Sequence, residues 1–265
     1  MSSPDLLAAI VAGARRMVEI RRQRVPVSAV EKAASDRRPN AGGFIRALRD
    51  GASPRVIAEC KRRSPSRGIL RDDYRPAEHA RAYASAGAAA ISVLTEPTFF
   101  DGSLAHLEDV RRTVDVPLLR KDFIVDRYQV LEAAAAGADA ILLIVGALEP
   151  AALKSLLADA ADARVAVLVE VHDADELRAA EDAGAEVIGV NSRNLRTLGV
   201  EPGLHDALAP LIPRRVIAVA ESGLREPADL ARLERGGYHA FLVGERLIAE
   251  ADPGAALATL RGGGA

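Results

Sequence analysis

The chain carries 31 arginines and only four lysines, Lys32, Lys61, Lys121 and Lys154. Arginine keeps its proton at any ordinary pH, whereas a lysine among other charges and apolar walls can give its proton up or take one back. Lys61 closes the stretch RVIAECK two residues after Glu59, and Lys121 closes VPLLRK. Glu170 stands near the end of ARVAVLVEV, Asn191 ends AEVIGVN with Arg193 two residues on, and Glu221 with Ser222 closes RRVIAVAE. Amines and carboxylates delivered at the ends of short apolar runs suit general acid–base chemistry, in which one group donates a proton while a partner removes one. Writing Lys where the chain almost always writes Arg argues for proton transfer over plain charge. Lys32 and Lys154 fall in helical stretches and read as solvated faces.

The elements that must position these groups repeat along the chain. Eight β-branched runs, RVIAECK, AAAISVLT, VPLLRK, ADAILLIV, ARVAVLVEV, AEVIGVN, RRVIAVAE and YHAFLVG, alternate with Ala/Leu/Glu/Arg-rich helical segments. Near-continuous apolar runs of this length read as parallel strands covered on both faces. Before four of them a helix runs into the strand through a glycine, in SAGAAAIS, AAGADAIL, DAGAEVIG and RGGYHAFL, at Gly87, Gly137, Gly184 and Gly236. A spacing of about fifty residues is that of two βα units. Glycine there supplies a left-handed closing residue.

The pattern predicts an α/β protein, a (β/α)8 TIM barrel with an N-terminal helical extension. Residues 1–265 then form one barrel domain, with residues 1–50 as the extension. A doubly wound open sheet is the alternative, and strand count and glycine spacing favour the barrel. Within the extension, a Ser-Pro start and apolar residues at Leu6, Leu7, Ile10, Val11, Met17 and Val18 predict a helix over residues 3–24.

In a barrel, chemistry sits where strands end and βα loops begin. Residues two apart on a strand share a face, so Glu59 and Lys61 point inward together while Cys60 faces the helices as a small core residue. Inward side chains of alternate strands share a layer, which brings Glu59, Lys61, Lys121, Glu170 and Glu221 to one level. Structural ion pairs closing the barrel top would explain them too, but burying charge costs several kcal/mol and favours a chemical reason. Glu221 belongs to this layer only in one strand phase, since a one-residue shift turns it outward. Ser222-Gly223 and Gly244-Glu245, after the last two strands, fit the backbone phosphate cradle common at those places in barrels; a tight turn is the plainer account of each.

Composition removes several classes. A formal charge of −2 and a pI near 6.2 provide no global field for nucleic acid or acidic lipid. The first fifty residues carry ten Lys+Arg against five Asp+Glu, which reads as a solvated amphipathic helix before it reads as a basic arm. Aromatic content of 3% without tryptophan leaves little for base stacking. One cysteine excludes an internal disulfide framework, and His79, His106, His172, His205 and His239 show no metal-ligand spacing, so no metal site is expected. No apolar run approaches the roughly 18 residues of a membrane span. A cytoplasmic protein with no membrane partner and no nucleic-acid partner is expected.

The stretches AECKRRSPSRG, SVLTEPTFFDGS, LLRKDFIVDRYQ, LLIVGAL, LVEVHD, IGVNSRNL, VAESG and LVGERL resemble, in order, the motifs of the indole-3-glycerol phosphate synthase family of tryptophan biosynthesis, from about residue 5 to residue 260. The resemblance implies decarboxylative ring closure of 1-(2-carboxyphenylamino)-1-deoxyribulose 5-phosphate to indole-3-glycerol phosphate, carbon dioxide and water, without a cofactor. By position, Lys121 resembles the acid that protonates the ribulose carbonyl, Glu170 the base of the dehydration, and Lys61 the cation that holds the carboxylate and then acts as an acid, oriented by Glu59. Asn191 and Arg193 resemble the pair that aligns carboxylate and sugar hydroxyls, with Glu221 also at the substrate. Ser64 is similar to a loop serine near the carboxylate, and Phe100, Phe123 and Leu142 to the apolar seat for the aryl ring. Ser222, Gly223, Gly244 and Glu245 resemble the phosphate site.

The resemblance implies one small-molecule partner, the phosphosugar-anthranilate substrate, and a monomer or weak homo-oligomer. The loop from Arg62 to Arg75 is long for a βα connection and is a candidate lid, or else a solvated basic loop. Two other readings stay open. Another phosphosugar barrel, such as phosphoribosylanthranilate isomerase, would pair a carboxylate with a thiol or second acid, but Cys60 faces the helices. A non-catalytic RNA-binding barrel would use the Arg-rich front and the KRR run.

Overall fold

Alternating apolar side chains on eight short strands create two cores at once, one inside a closed sheet and one between the sheet and its helices. The computed structural model describes residues 5–263. Its parallel strands are β1 (Arg55–Cys60), β2 (Ala90–Leu94), β3 (Leu118–Lys121), β4 (Ala140–Ile144), β5 (Ala166–Val171), β6 (Val187–Asn191), β7 (Ile217–Glu221) and β8 (Ala240–Val243). Each pairs with its chain neighbours, and β8 pairs with β1, closing a (β/α)8 barrel. Ile57, Leu119, Leu142, Leu168 and Val219 point into the barrel, while Val56, Ile91, Val169 and Phe241 meet the helices. Cys60 belongs to the outer core and is fully buried.

Helices α1 (Leu6–Arg24), α2 (Val27–Ser35) and α3 (Ala41–Asp50) precede β1. The helix expected over residues 3–24 is thus described from Leu6 onward; residues 3 and 4 lie outside the described residues. Asp5 caps it, its carboxylate accepting the Ala8 N–H at 3.2 Å. The connecting helices are α4 (Pro76–Ser85), α5 (Leu104–Arg111), α6 (Arg127–Ala136), α7 (Pro150–Asp162), α8 (Ala174–Asp182), α9 (Leu204–Leu208), α10 (Pro227–Arg235), α11 (Glu245–Ile248) and α12 (Pro253–Leu260). Among the described residues, no helix is long and apolar enough to cross a membrane.

Three of the four helix-closing glycines adopt the left-handed conformation, with φ of 83° at Gly87, 92° at Gly137 and 87° at Gly184. Gly236 differs: its φ of −74° is helical, and the turn falls on Gly237 at φ 104°. The Gly-Gly pair let α10 run one residue further before the chain reversed, which periodicity alone does not decide.

The extension reaches both ends of the barrel. Phe44 and Leu48 of α3 are fully buried against inward residues such as Ile57, Leu119 and Ile217. The Asn40 N–H that opens α3 donates to Asp139, just before β4, at 2.8 Å, which fixes α3 beneath the N-terminal ends of the strands. Leu7 and Ile10 of α1 join Phe123 and Ile144 at the opposite end. Arg21 forks onto Glu132 of α6 at 2.6 and 3.0 Å, tying α1 to the side of the barrel.

Candidate active site

Lys121 is the last residue of β3, and its Nζ lies between two carboxylates, 2.6 Å from Glu170 Oε2 on β5 and 3.2 Å from Glu221 Oε2 on β7. Both carboxylates are 1% exposed. The phase of β7 therefore turns Glu221 inward, and Gly189 of β6 leaves room for it: a Cβ there would collide with Glu221 Oε1. A lone glycine inside a strand marks such a close approach.

Across the mouth, Lys61 follows the end of β1 and its Nζ meets Glu59 Oε1 at 2.8 Å. The strand stops at Cys60, yet Lys61 still shares the inward face with Glu59. Ser92 Oγ of β2 donates to Glu59 Oε2 at 3.4 Å. Gly244 plays the part for Glu59 that Gly189 plays for Glu221, because a Cβ there would strike Glu59 Oε1.

Burial works against the Lys121 ammonium, but Glu170, Glu221 and the more distant Glu59 outweigh it and hold its pKa above the usual lysine range. For Glu170 burial favours the neutral acid, and the charges of Lys121 and His172 overcome it, keeping the carboxyl below its ordinary range. For Glu221 burial prevails: with Glu170 adding to it against Lys121, the carboxyl is pushed up to about 8. One cation thus stabilises one carboxylate fully, and the second keeps its proton. Lys121 is thus held protonated, with an ionised Glu170 beside it.

Asn191 ends β6, and its Oδ1 accepts from the Arg193 N–H at 3.0 Å and from Ser222 Oγ at 2.8 Å. Its amide nitrogen is the part left for a ligand. Arg193 lies past the strand in an isolated bridge with Val200, its guanidinium donating to Leu198 O at 3.1 Å. The opposite wall is apolar. Phe100 and Phe123 have ring centroids 6.2 Å apart, and Leu142 on β4 completes the seat. Ser64, 3% exposed, lies in a two-residue ribbon pairing Arg63–Ser64 with Gly68–Ile69.

On the rim, Ser222 and Gly223 adopt left-handed φ of 67° and 73°, and Gly244 precedes α11, whose first N–H groups have no intrahelical acceptor. Glu245 projects back over the pocket, its carboxylate 3.4 Å from Arg193, 3.5 Å from Arg67 and 3.4 Å from Ser66. The candidate site residues named from the sequence thus lie at one end of the barrel. Sequence reasoning passed over His172, Glu176, Ser66 and Gly189. For His172 the signal was present, since it stands two residues past Glu170 as Lys61 does past Glu59. Gly189 was legible as the glycine inside AEVIGVN; Ser66 and Glu176 had no signal of their own.

A closed barrel with an acid–base layer at the C-terminal ends of its strands and glycine turns after β7 and β8 is the architecture of a (β/α)8-barrel enzyme. The model of the family described as indole-3-glycerol phosphate synthase matches residues 7–260, and the chain belongs to that family. Indole-3-glycerol phosphate synthase 1 of Streptomyces coelicolor is 49% identical over 256 residues, covering 97% of this chain and 94% of that protein. The Chlorobium phaeovibrioides indole-3-glycerol phosphate synthase is 47% identical, covering 91% and 93%. Among solved structures, 3-hexulose-6-phosphate synthase superposes with a TM-score of 0.63 at 16% identity, covering 80% of this chain and all of that one. Thiamine phosphate pyrophosphorylase from Pyrococcus furiosus gives 0.61 at 17%, covering 78% and 94%. At such identities the structures share the fold. Function follows from the family: the chain is a carboxy-lyase of tryptophan biosynthesis that closes the indole ring.

Proposed function

We propose that the mouth of the barrel performs the ring closure with the following division of work. The aryl ring of 1-(2-carboxyphenylamino)-1-deoxyribulose 5-phosphate rests on Phe100, Phe123 and Leu142. Its phosphate takes the backbone N–H groups at Ser222, Gly223, Gly244 and Glu245. Lys61 holds the carboxylate, helped by Ser64, while Asn191 and Arg193 align the carboxylate and sugar hydroxyls and Glu221 offers its retained proton to a hydroxyl.

As the ring carbon bearing the carboxylate attacks the ribulose carbonyl, Lys121 gives its proton to the carbonyl oxygen. Carbon dioxide departs, and the electrons of the broken bond restore the aromatic ring. In the dehydration Glu170 removes the ring proton while Lys61, oriented by Glu59, protonates the departing hydroxyl, so that water leaves and the indole double bond forms. Proton transfers of this kind each contribute about 10²–10⁴-fold. The observation that carries this reading is the ammonium of Lys121 held within hydrogen-bond reach of two buried carboxylates, facing an apolar seat.

The reading extends to one barrel domain over residues 1–265 with residues 1–50 as its extension, supported by the α1 and α3 side chains in the inner core. It also takes the working form as a cytoplasmic monomer or weak homo-oligomer without a nucleic-acid partner. Because the chain has no tryptophan, indole formation can be followed by fluorescence over a low protein background. Purified protein with the phosphorylated substrate should yield an indole signal with matching release of carbon dioxide. No signal would reopen the isomerase reading.

A further inference from the structure

Three buried polar atoms at the mouth have no hydrogen-bond partner among the described residues, Glu170 Oε1, His172 Nε2 and Glu221 Oε1, and the first two face each other at 3.4 Å. His172 is the first residue past β5 and lies outside the lining of the pocket, so it approaches Glu170 from behind. Its other edge is clamped. Glu176 Oε2, in the first turn of α8, lies 3.1 Å from His172 Nδ1 and 2.8 Å from the His172 backbone nitrogen.

These contacts decide the protonation of the ring. A carboxylate offers only acceptors, so Nδ1 must carry a proton to bond Glu176. Nε2 then presents either a lone pair or an N–H to the second carboxylate, and only the N–H is attracted to it. Burial works against the imidazolium, but Glu170 and Glu176 outweigh it and push His172 up to about 10. The buried base therefore has a cation on each side, Lys121 in front and His172 behind.

The rear cation has a consequence for the reaction. When Lys121 delivers its proton, Glu170 loses the charge that keeps it ionised, and a buried carboxyl left alone would take up a proton before its own step. We propose that His172, held by Glu176, is a positioning residue for Glu170, fixing one carboxylate oxygen and keeping the base ionised after Lys121 has discharged. This inference rests on the proposed roles of Lys121 as acid and Glu170 as base. The other groups around Glu170 cannot substitute. Glu221 of β7 is a second acid, Glu59 of β1 is occupied with Lys61, and the register neighbours Ile144 of β4 and Gly189 of β6 are neutral.

The test is the pH profile of kcat. Its acidic limb reports ionisation of the base in the substrate complex, and removing a nearby cation raises the pKa of a carboxylate. His172→Gln should therefore shift the limb to higher pH by about one unit. Turnover near neutrality should fall about ten- to hundredfold, the size of loss seen when the hydrogen-bonded partner that orients a metal ligand is removed, since His172 orients Glu170 in the same way. Glu176→Gln should move the limb in the same direction by less, and His172→Lys, which restores a cation, should recover part of its position. A merely structural role would lower kcat without moving the limb, so an unmoved limb in His172→Gln overturns the proposal. If that variant does not fold, an unmoved limb in Glu176→Gln does the same. Glu170→Gln separates the two readings. Wild-type turnover there removes the base assignment and this inference with it, whereas loss of turnover together with an unmoved limb in the His172 variant removes this inference alone.

Discussion

Lys61 and Lys121 stand on opposite sides of one barrel mouth, with side chains 12% and 13% exposed, yet their surroundings differ. Lys61 has one carboxylate, Glu59 at 2.8 Å, and sits one residue beyond its strand. Lys121 is the last residue of its strand and lies between Glu170 and Glu221. In the proposed reaction the number of partners separates their tasks. A lysine with a single partner can turn its charge toward a substrate carboxylate, whereas one held between an ionised carboxylate and a second, protonated carboxyl group keeps its proton until the incoming substrate redistributes the charge. Burial and residue type, nearly equal at the two sites, do not make this distinction.

Removing proton transfer while keeping charge tests the division most sharply. Lys121→Arg should lower kcat about a thousandfold, within the range of a lost general acid, and Lys121→Ala should do at least as much, with the circular dichroism and phosphate affinity of the fold retained. Near-wild-type turnover in the arginine variant would mean that Lys121 supplies charge alone. Lys61→Arg should cost less, about ten- to hundredfold, because the cation that holds the carboxylate remains and only its later proton is lost. A loss equal to that of Lys121→Arg would erase the difference between the two lysines.

The smallest effect is on stability. Glu221 holds its proton up to about 8, against an ordinary 4.5, so between those values the folded chain binds a proton that the unfolded chain has released. Its contribution is complete below the lower value and is lost as pH rises through the upper one. Glu170, shifted the other way, makes its contribution above its unfolded value and loses it in acid, outside that window. The urea midpoint should fall across this range in the wild-type chain and fall less in Glu221→Gln. Equal slopes would show that Glu221 is ionised throughout.

Much of this site is legible in the sequence alone. Eight apolar runs with glycines between helix and strand led to the barrel, and the odd strands carried Glu59, Lys61, Lys121, Glu170 and Glu221 to its mouth. Turn chemistry was less legible, since either glycine of the Gly236-Gly237 pair can close a helix and only packing selects Gly237. The clamp on His172 escaped notice because its two halves lie in different elements: the histidine belongs to a strand end and Glu176 to the first turn of a helix. Nor does any pattern in the first fifty residues tell that Phe44 and Leu48 seal the base of the barrel while Leu7 and Ile10 lie at its mouth.

Local chemistry and local periodicity belong to the sequence. Which side chains alternate inward, which residues can release a proton and which positions tolerate a missing Cβ are properties of residue type and two-residue spacing. The tertiary structure decided how many carboxylates surround each amine. Lys121 and Glu170 are 49 residues apart in the chain and 2.6 Å apart in space. That distance exists only because eight strands close on themselves, and the closure that sets it also removes the water that would have screened one charge from the other.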